Sequence, residues 1–430
     1  MTAHRNHARA RDRERATNTT TVDLIYFNAG GGHRASALAL EAALQRQRPS
    51  WRVRTVDLFA VLDPQERFRA LTGSRPEDWY NKRLARGWTL GMTQELKLLQ
   101  AAIRLGHPLL MRPLQEHWLR TEPDLVVSLI PNFNRALYQS LAGALPGVPY
   151  ATLLTDLADL PPNFWIEAGQ PQHFICGTAR AVEQALALGH DPRRVHATSG
   201  MILRPEFYEP IEIERCAERA RLGLDPRRPT GLVLFGGHGS RTMLGIAQRL
   251  AATTQTIFLC GHNQALAAKL RTLPGVVPRL VVEFTSDIPY YMRLADFFIG
   301  KPGPGSISEA VQQGLPVIVV DNAWTMPQER YNAEWIRDNG LGVVHTSFRT
   351  IDQAVARLLD RLEDFQASVR RIDNRALFEV PDILAAILAQ ASTVTSAEAF
   401  ATGDRHTPGA APGPERARTR TRSGQGSGIT

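Results

Sequence analysis

Apolar positions along the chain gather in short runs that end in Gly, Pro, Asp or Asn, and helix-periodic stretches lie between them. Val22 to Phe27 is rich in β-formers and runs into Gly30-Gly31-Gly32. From about His33 onward Ala35, Leu38, Ala39 and Leu44 recur at helical spacing. Further strand candidates stand in "WRVRTVDLF", "DLVVSLI", "PYATLL" and "HFIC". This alternation predicts a parallel sheet covered by helices on both faces. Such sheets bind ligands at the C-terminal ends of their strands. The pattern then restarts with "GLVLFGGHGS", "TIFLCGHN", "LVVEF", "DFFIG", "LPVIVV" and "LGVVH". The expectation is an α/β chain of two Rossmann-like domains facing a cleft, 21–202 and 203–392, with the boundary near Gly200 to Pro210. A last helical stretch, "PDILAAILAQA", is expected to dock on one of them.

Residues 59–120 break the pattern and read as a helical insertion. Trp79, Tyr80, Trp88, Leu98, Leu99 and Trp118 are interleaved there with Lys82, Arg83, Arg86, Lys97, Arg104 and Arg112. That mixture suits a helix lying in a membrane interface, and equally an amphipathic helix packed on the sheet.

A length of 430 residues agrees with two domains. The net charge of +8 lies mostly in the ends: residues 1–20 carry +3 and residues 393–430 carry +2. Both ends are rich in Arg, Thr, Gly and Pro and are expected to be disordered, basic tails. They give no specific sign of a nucleic-acid partner. No apolar run reads as long enough to cross a bilayer, and the basic start lacks a secretory core. Three scattered cysteines, Cys176, Cys216 and Cys260, suit a reducing compartment. The expected location is therefore cytoplasmic.

Three glycine turns carry the candidate chemistry. In the first, Gly30, Gly32 and Ala35 match a loose dinucleotide fingerprint, with Asp57 ending the next strand. An NAD-dependent enzyme is thus a competing expectation. His33 follows the glycines at a helix N-terminus, where the helix dipole disfavours its charged form. It can serve as a general base, or merely pack. The second turn, Gly236-Gly237-His238-Gly239-Ser240, offers free N–H groups to phosphate oxygens. The third is "GKPGPGSISEAVQQGLPVIVV", where Gly303 and Gly305 allow close approach. Ser306 can cap its helix, and Glu309 stands at capping-box spacing. Glu309 can alternatively accept hydrogen bonds from two ribose hydroxyls. Beyond it Gln328, Glu329 and Asn332 suit a sugar's hydroxyls. No D-x-D pair ends a strand, so a diphosphate would meet helix ends and the cations Arg204 and Lys301, with no dedicated metal site.

"GGGHRASALAL", "TDLADL", "GMILRPEF", "GLVLFGGHGS", "FLCGHNQAL" and "GKPGPGSISEAVQQGLPVIV" together resemble the monogalactosyldiacylglycerol synthase family, over Val22 to Thr346. More distantly they resemble the N-acetylglucosaminyltransferase of peptidoglycan synthesis. The resemblance implies the two-domain GT-B fold, a UDP-sugar as co-substrate, no other cofactor, and inversion at the anomeric carbon. It also implies a lipid acceptor met at a membrane surface, here the anionic inner face. It places His33 at the reaction centre with Gly31 and Gly32 on the acceptor side. Glu309 then falls on the ribose, Arg204 and Gly236 to Ser240 on the donor, and Cys260, Gly261 and Asn263 beside the uracil. The chain departs from the family's pattern at His238, where plant-type enzymes carry an acid, at Arg330 and Tyr331, and at Ile202 in place of a proline. These departures leave the sugar and the acceptor open.

The favoured expectation is an inverting hexosyltransferase that uses a UDP-sugar and a lipid-like acceptor such as diacylglycerol. His33 or Asp156 would take the acceptor's proton. A UDP-sugar epimerase, an NAD-dependent enzyme and a catalytically silent binding protein are the alternatives.

Overall fold

A computed structural model describes residues 19–28, 32–65 and 92–403. Gly30 and Gly31, Trp79, Tyr80 and Trp88, and most of both tails lie outside the described residues.

Twelve parallel strands form two six-stranded sheets. The first contains β1 (Thr21–Tyr26), β2 (Arg52–Asp57), β3 (Leu125–Ser128), β4 (Tyr150–Leu153), β5 (His173–Cys176) and β6 (Val195–Ala197), in the order β2-β1-β3-β4-β5-β6. The second contains β7 (Thr230–Leu234), β8 (Gln255–Leu259), β9 (Arg279–Val282), β10 (Phe297–Gly300), β11 (Val317–Val320) and β12 (Gly342–His345), in the order β12-β11-β10-β7-β8-β9. These are the two Rossmann-like halves that the alternation of strands and helices predicts.

The strand order reverses between β1 and β3 in the first sheet, and between β7 and β10 in the second. Loops leaving such a pair of strands diverge and open a crevice. The helix Gly32–Gln47 follows β1, the second glycine turn leaves β7, and the "GKPGPGS" segment leaves β10. The central strands are buried along their length, as expected when helices cover both faces.

Three expectations need correction. The closing helix, Ala376–Gly403, contains a window, Ala376–Thr393, apolar and long enough to cross a membrane by length and composition. Its Ala376, Leu377, Val380, Leu384 and Ile387 instead pack with Val22, Leu24 and Leu40 in the core of the first sheet. The same helix continues into the segment expected to be disordered from 393, because no Gly or Pro interrupts Ser392 to Thr402. Trp118, grouped above with interfacial aromatics, is 1% exposed and donates its indole N–H to Ser140 Oγ at 2.8 Å. It anchors the helix His107–Thr121 onto the first sheet. The preceding helix, Met92–Leu105, keeps Leu98, Leu99 and Leu105 exposed, and Leu109 is exposed on the next one.

Candidate functional site

At the first crevice the helix Gly32–Gln47 begins directly behind the glycine turn, and His33 projects from its first turn. The ring is half-buried, 5.0 Å from Phe27 and 5.8 Å from Trp165 between centroids. Burial holds its pKa down to about 4, although a hydrogen bond to the Leu129 backbone opposes this. His33 is therefore neutral at pH 7. Its Nδ1 lies 2.9 Å from the Thr155 hydroxyl, within hydrogen-bond distance.

Asp156 follows Thr155 and is 9% exposed. Its Oδ2 accepts from the Trp165 indole at 2.9 Å. Burial pushes its carboxyl up to about 7; Glu329 adds to the rise and Lys301 opposes it. Asp159 accepts from the Trp165 and Asn163 backbone N–H groups at 2.6 and 3.0 Å, which fixes the loop that carries the indole.

At the second crevice Gly236 and Gly239 adopt positive φ, +72° and +58°. Gly261 (φ +57°) lets the next loop touch this one: a Cβ there would lie 2.1 Å from the Gly237 carbonyl oxygen. His262 N–H donates to that oxygen at 2.9 Å, and Asn263 Nδ2 donates to the His238 carbonyl at 3.2 Å. Asn263 also caps its own helix, accepting from Leu266 N–H. Cys260 is wholly buried and backs the site rather than lining it. His238 is exposed, and Ser240 Oγ accepts from Thr242 N–H at 3.3 Å.

The third turn corrects the capping reading. The helix begins at Pro304, with Gly303 at the N-cap and no side-chain cap. Proline favours the first helical position because its φ is already helical and it has no N–H to satisfy. Ser306 thus lies inside the first turn and points its hydroxyl back toward the Gly303 carbonyl at 3.5 Å. Glu309 lies a further turn along, out of capping-box register. Burial raises its carboxyl to about 7, and Arg204 pulls it partway back. Gly305 has nothing within 4 Å of where a Cβ would stand.

Lys301 Nζ lies 2.6 Å from Glu329 Oε1. Asn332 is fully buried, and its Nδ2 donates to the Pro302 carbonyl at 2.8 Å, pinning the Gly-Pro turn from behind. Gln328 Oε1 and Asn332 Oδ1 are buried without partners. Arg204, in the linker between the sheets, donates to the Ser286 carbonyl at 3.2 Å, and its Nη2 is unpartnered. Among the described residues no three His, Cys, Asp or Glu side chains cluster as metal ligands. Gly32 is exposed at the mouth of the first crevice.

Two features escaped sequence reasoning. Thr155 sits beside the expected Asp156 in "TDLADL", and only the fold brings it to His33. Phe284, 59% exposed, stacks flat on His262 at 4.1 Å and 17°. An aromatic just past the end of β9 was the available signal for this platform.

Residues 232–386 match the glycosyltransferase family 28 C-terminal domain. The monogalactosyldiacylglycerol synthase 1 of Arabidopsis thaliana is 27% identical over 352 residues, 78% of this chain and 64% of that one. The chain thus spans less than two thirds of that relative. The MurG structure from Acinetobacter baumannii aligns with a TM-score of 0.53 at 15% identity, over 85% of this chain and 98% of that one. A UDP-GlcNAc 2-epimerase of Neisseria meningitidis, bound to UDP-GlcNAc, also aligns with a TM-score of 0.53 at 15% identity, over 86% of this chain and 100% of that one. The resemblance read from the motifs is thus found again in relatives and in the fold.

Proposed function

We propose that this chain, which carries a glycosyltransferase family 28 C-terminal domain, transfers a hexose from a UDP-sugar to the hydroxyl of a lipid such as diacylglycerol, with inversion. One observation carries the reading. Asp156, at the end of β4, feels the charges of Lys301 and Glu329, which follow β10 and β11. The proton-handling groups of the first sheet and the anion-binding turns of the second therefore share one cleft.

The geometry fits the steps. The helix that begins at Pro304 has no side-chain cap and leaves backbone N–H groups of its first turn for the diphosphate. Lys301 and Arg204 add positive charge. Glu309 holds the ribose, and the flat pair His262–Phe284 suits the uracil. Gln328 and Glu329 face the sugar. The acceptor oxygen attacks the anomeric carbon as its bond to UDP breaks, and the proton passes to His33 Nδ1, displacing or passing through Thr155. The arriving diphosphate raises the proton affinity of a ring that is neutral beforehand. Asp156 is the alternative base.

Exposed Leu98, Leu99, Leu105 and Leu109, set among Lys97, Arg104 and Arg112, support peripheral docking on an anionic membrane, the inner face of a cytoplasmic enzyme's membrane.

The test is product analysis with UDP-hexoses labelled in the sugar, UDP-galactose first, with and without diacylglycerol in mixed micelles. A labelled β-glycolipid is expected only when lipid is present. Label recovered solely in an isomerised nucleotide sugar would make the protein an epimerase, an activity the same fold also hosts.

A further inference from the structure

Three phenylalanines that no step above uses stand together beside His33. Phe27 follows β1, Phe59 lies in the short helix Leu58–Leu62 after β2, and Phe133 lies in the turn after β3. Their ring centroids form a triangle with sides of 6.0, 6.4 and 6.3 Å. Phe27 meets the His33 ring edge-on at 5.0 Å. All three rings are half-buried. Phe27 and Phe133 rest on the core formed by Ile25, Val126 and Ile130, and Phe59 completes the triangle above them.

A cluster of large apolar groups left partly open at the mouth of a crevice is informative where an isolated one is not. The rings meet at 54°, 73° and 81°. They offer edges and tilted faces rather than one flat plane, so they do not suit a stacked base or the flat face of a sugar. Partly exposed edges and tilted faces of this kind suit a flexible hydrocarbon better than a flat ring. The cluster adjoins the His33 ring through Phe27, so a hydrocarbon resting on it lies close to the group that would take the acceptor's proton.

Resting on the lipid-glycosyltransferase reading, we propose that Phe27, Phe59 and Phe133 form the acceptor subsite for the hydrocarbon next to the reacting hydroxyl. The enzyme then selects alcohols partly by their structure close to the oxygen, separately from any attraction of distant chains to the membrane.

Phe59 is the position to change, since the other two also support the core. The full chain is compared as wild type, Phe59→Ala and Phe59→Leu. Two acceptors share one free hydroxyl and differ in hydrocarbon: dioctanoylglycerol and diacetylglycerol. The wild type should prefer dioctanoylglycerol in kcat/KM. Phe59→Ala should reduce that preference by about tenfold, mainly through KM, and Phe59→Leu should restore most of it. UDP affinity and Tm should stay near the wild-type values. If Phe59→Ala is folded, binds UDP and keeps the full preference, the subsite is elsewhere and the transferase reading stands. If Phe59→Ala is unstable, Phe59→Leu decides, through a changed or unchanged ratio. A wild type that glycosylates neither acceptor overturns the underlying reading, and the subsite with it.

Discussion

The two crevices are built from the same strand–glycine–helix unit, yet their chemistry is opposite. The first is aromatic. His33 lies among Phe27, Trp165 and Thr155, and burial drives His33 and Asp156 toward their neutral forms. The second is open and backbone-rich. Its glycines remove side chains, and the helix at Pro304 starts without a side-chain cap. Low polarity keeps a proton acceptor uncharged until charge is needed, while bare N–H groups meet an anion with little rearrangement. On the proposed reading, one topology supplies both a place for proton transfer and a place for leaving-group charge, depending on which residues follow its switch-point strands.

The sharpest way to break this division is at His33. His33→Ala should lower turnover by about 10²- to 10⁴-fold, the usual range for loss of a general base. UDP affinity, measured by calorimetry, should hardly change. If turnover survives while UDP binding falls, the roles of the two crevices are reversed.

Asp156 tests the low polarity of the first crevice. Its carboxyl has a pKa of about 7 when folded against an ordinary 3.8, so the folded chain holds this proton longer than the unfolded one. Stability therefore falls as pH rises between about 4 and about 7. Asparagine has no charge to bury and still offers Trp165 an oxygen. Relative to wild type, Asp156→Asn should gain stability across that window by up to about 1.4 kcal/mol per pH unit. His33, His117 and His173, each lowered to about 4, push the absolute curve the other way, so the difference between the two proteins is the quantity to read. A difference flat with pH would mean that water reaches the carboxyl freely.

Glu309 tests the second crevice. Glu309→Gln should weaken UDP binding by about tenfold, since a carboxylate loses charge-assisted bonds worth roughly 1.5–3 kcal/mol each. Wild-type affinity should also rise with pH up to about 7, because ribose hydroxyls bind the ionised form, and the variant's should not. With 2′,3′-dideoxy-UDP the two proteins should bind alike. Equal discrimination by both would remove Glu309 from the ribose.

The sequence's legibility follows the same division. Strands buried on both faces, such as "DLVVSLI" and "LPVIVV", are continuous apolar runs and were readable. β6, three residues with only Val195 and Ala197 apolar, was not, because pairing with β5 rather than pattern makes it a strand. The glycine turns of the second crevice could be read because backbone chemistry is written in Gly and Pro. Ser306 misled because Pro304, two residues earlier, starts the helix. The first crevice was only half visible. Thr155 and the phenylalanine triangle come from three or four separate loops, and no local spacing records their meeting. The closing helix docks on one of the domains, as its apolar pattern suggests, but that pattern does not say that it is the first.

The smallest expected effect concerns how the first half meets its lipid. Leu105 and Leu109 are 84% and 81% exposed at the junction of the helices Met92–Leu105 and His107–Thr121. Arg104 and Arg112 flank them. Full burial of a leucine is worth about 1.5–3 kcal/mol, and an interface buries only part of it. Leu105→Ser should therefore reduce partition onto anionic vesicles by roughly threefold to fivefold, and Leu109→Ser by a similar factor. Raising the salt should weaken binding of wild type and variants in parallel, because the arginines are unchanged and their attraction is screened. UDP affinity belongs to the other half and should not respond. Equal partition of wild type and both variants, at low salt and on the same vesicles, would leave the leucines without a membrane role and move docking to segments outside these two helices.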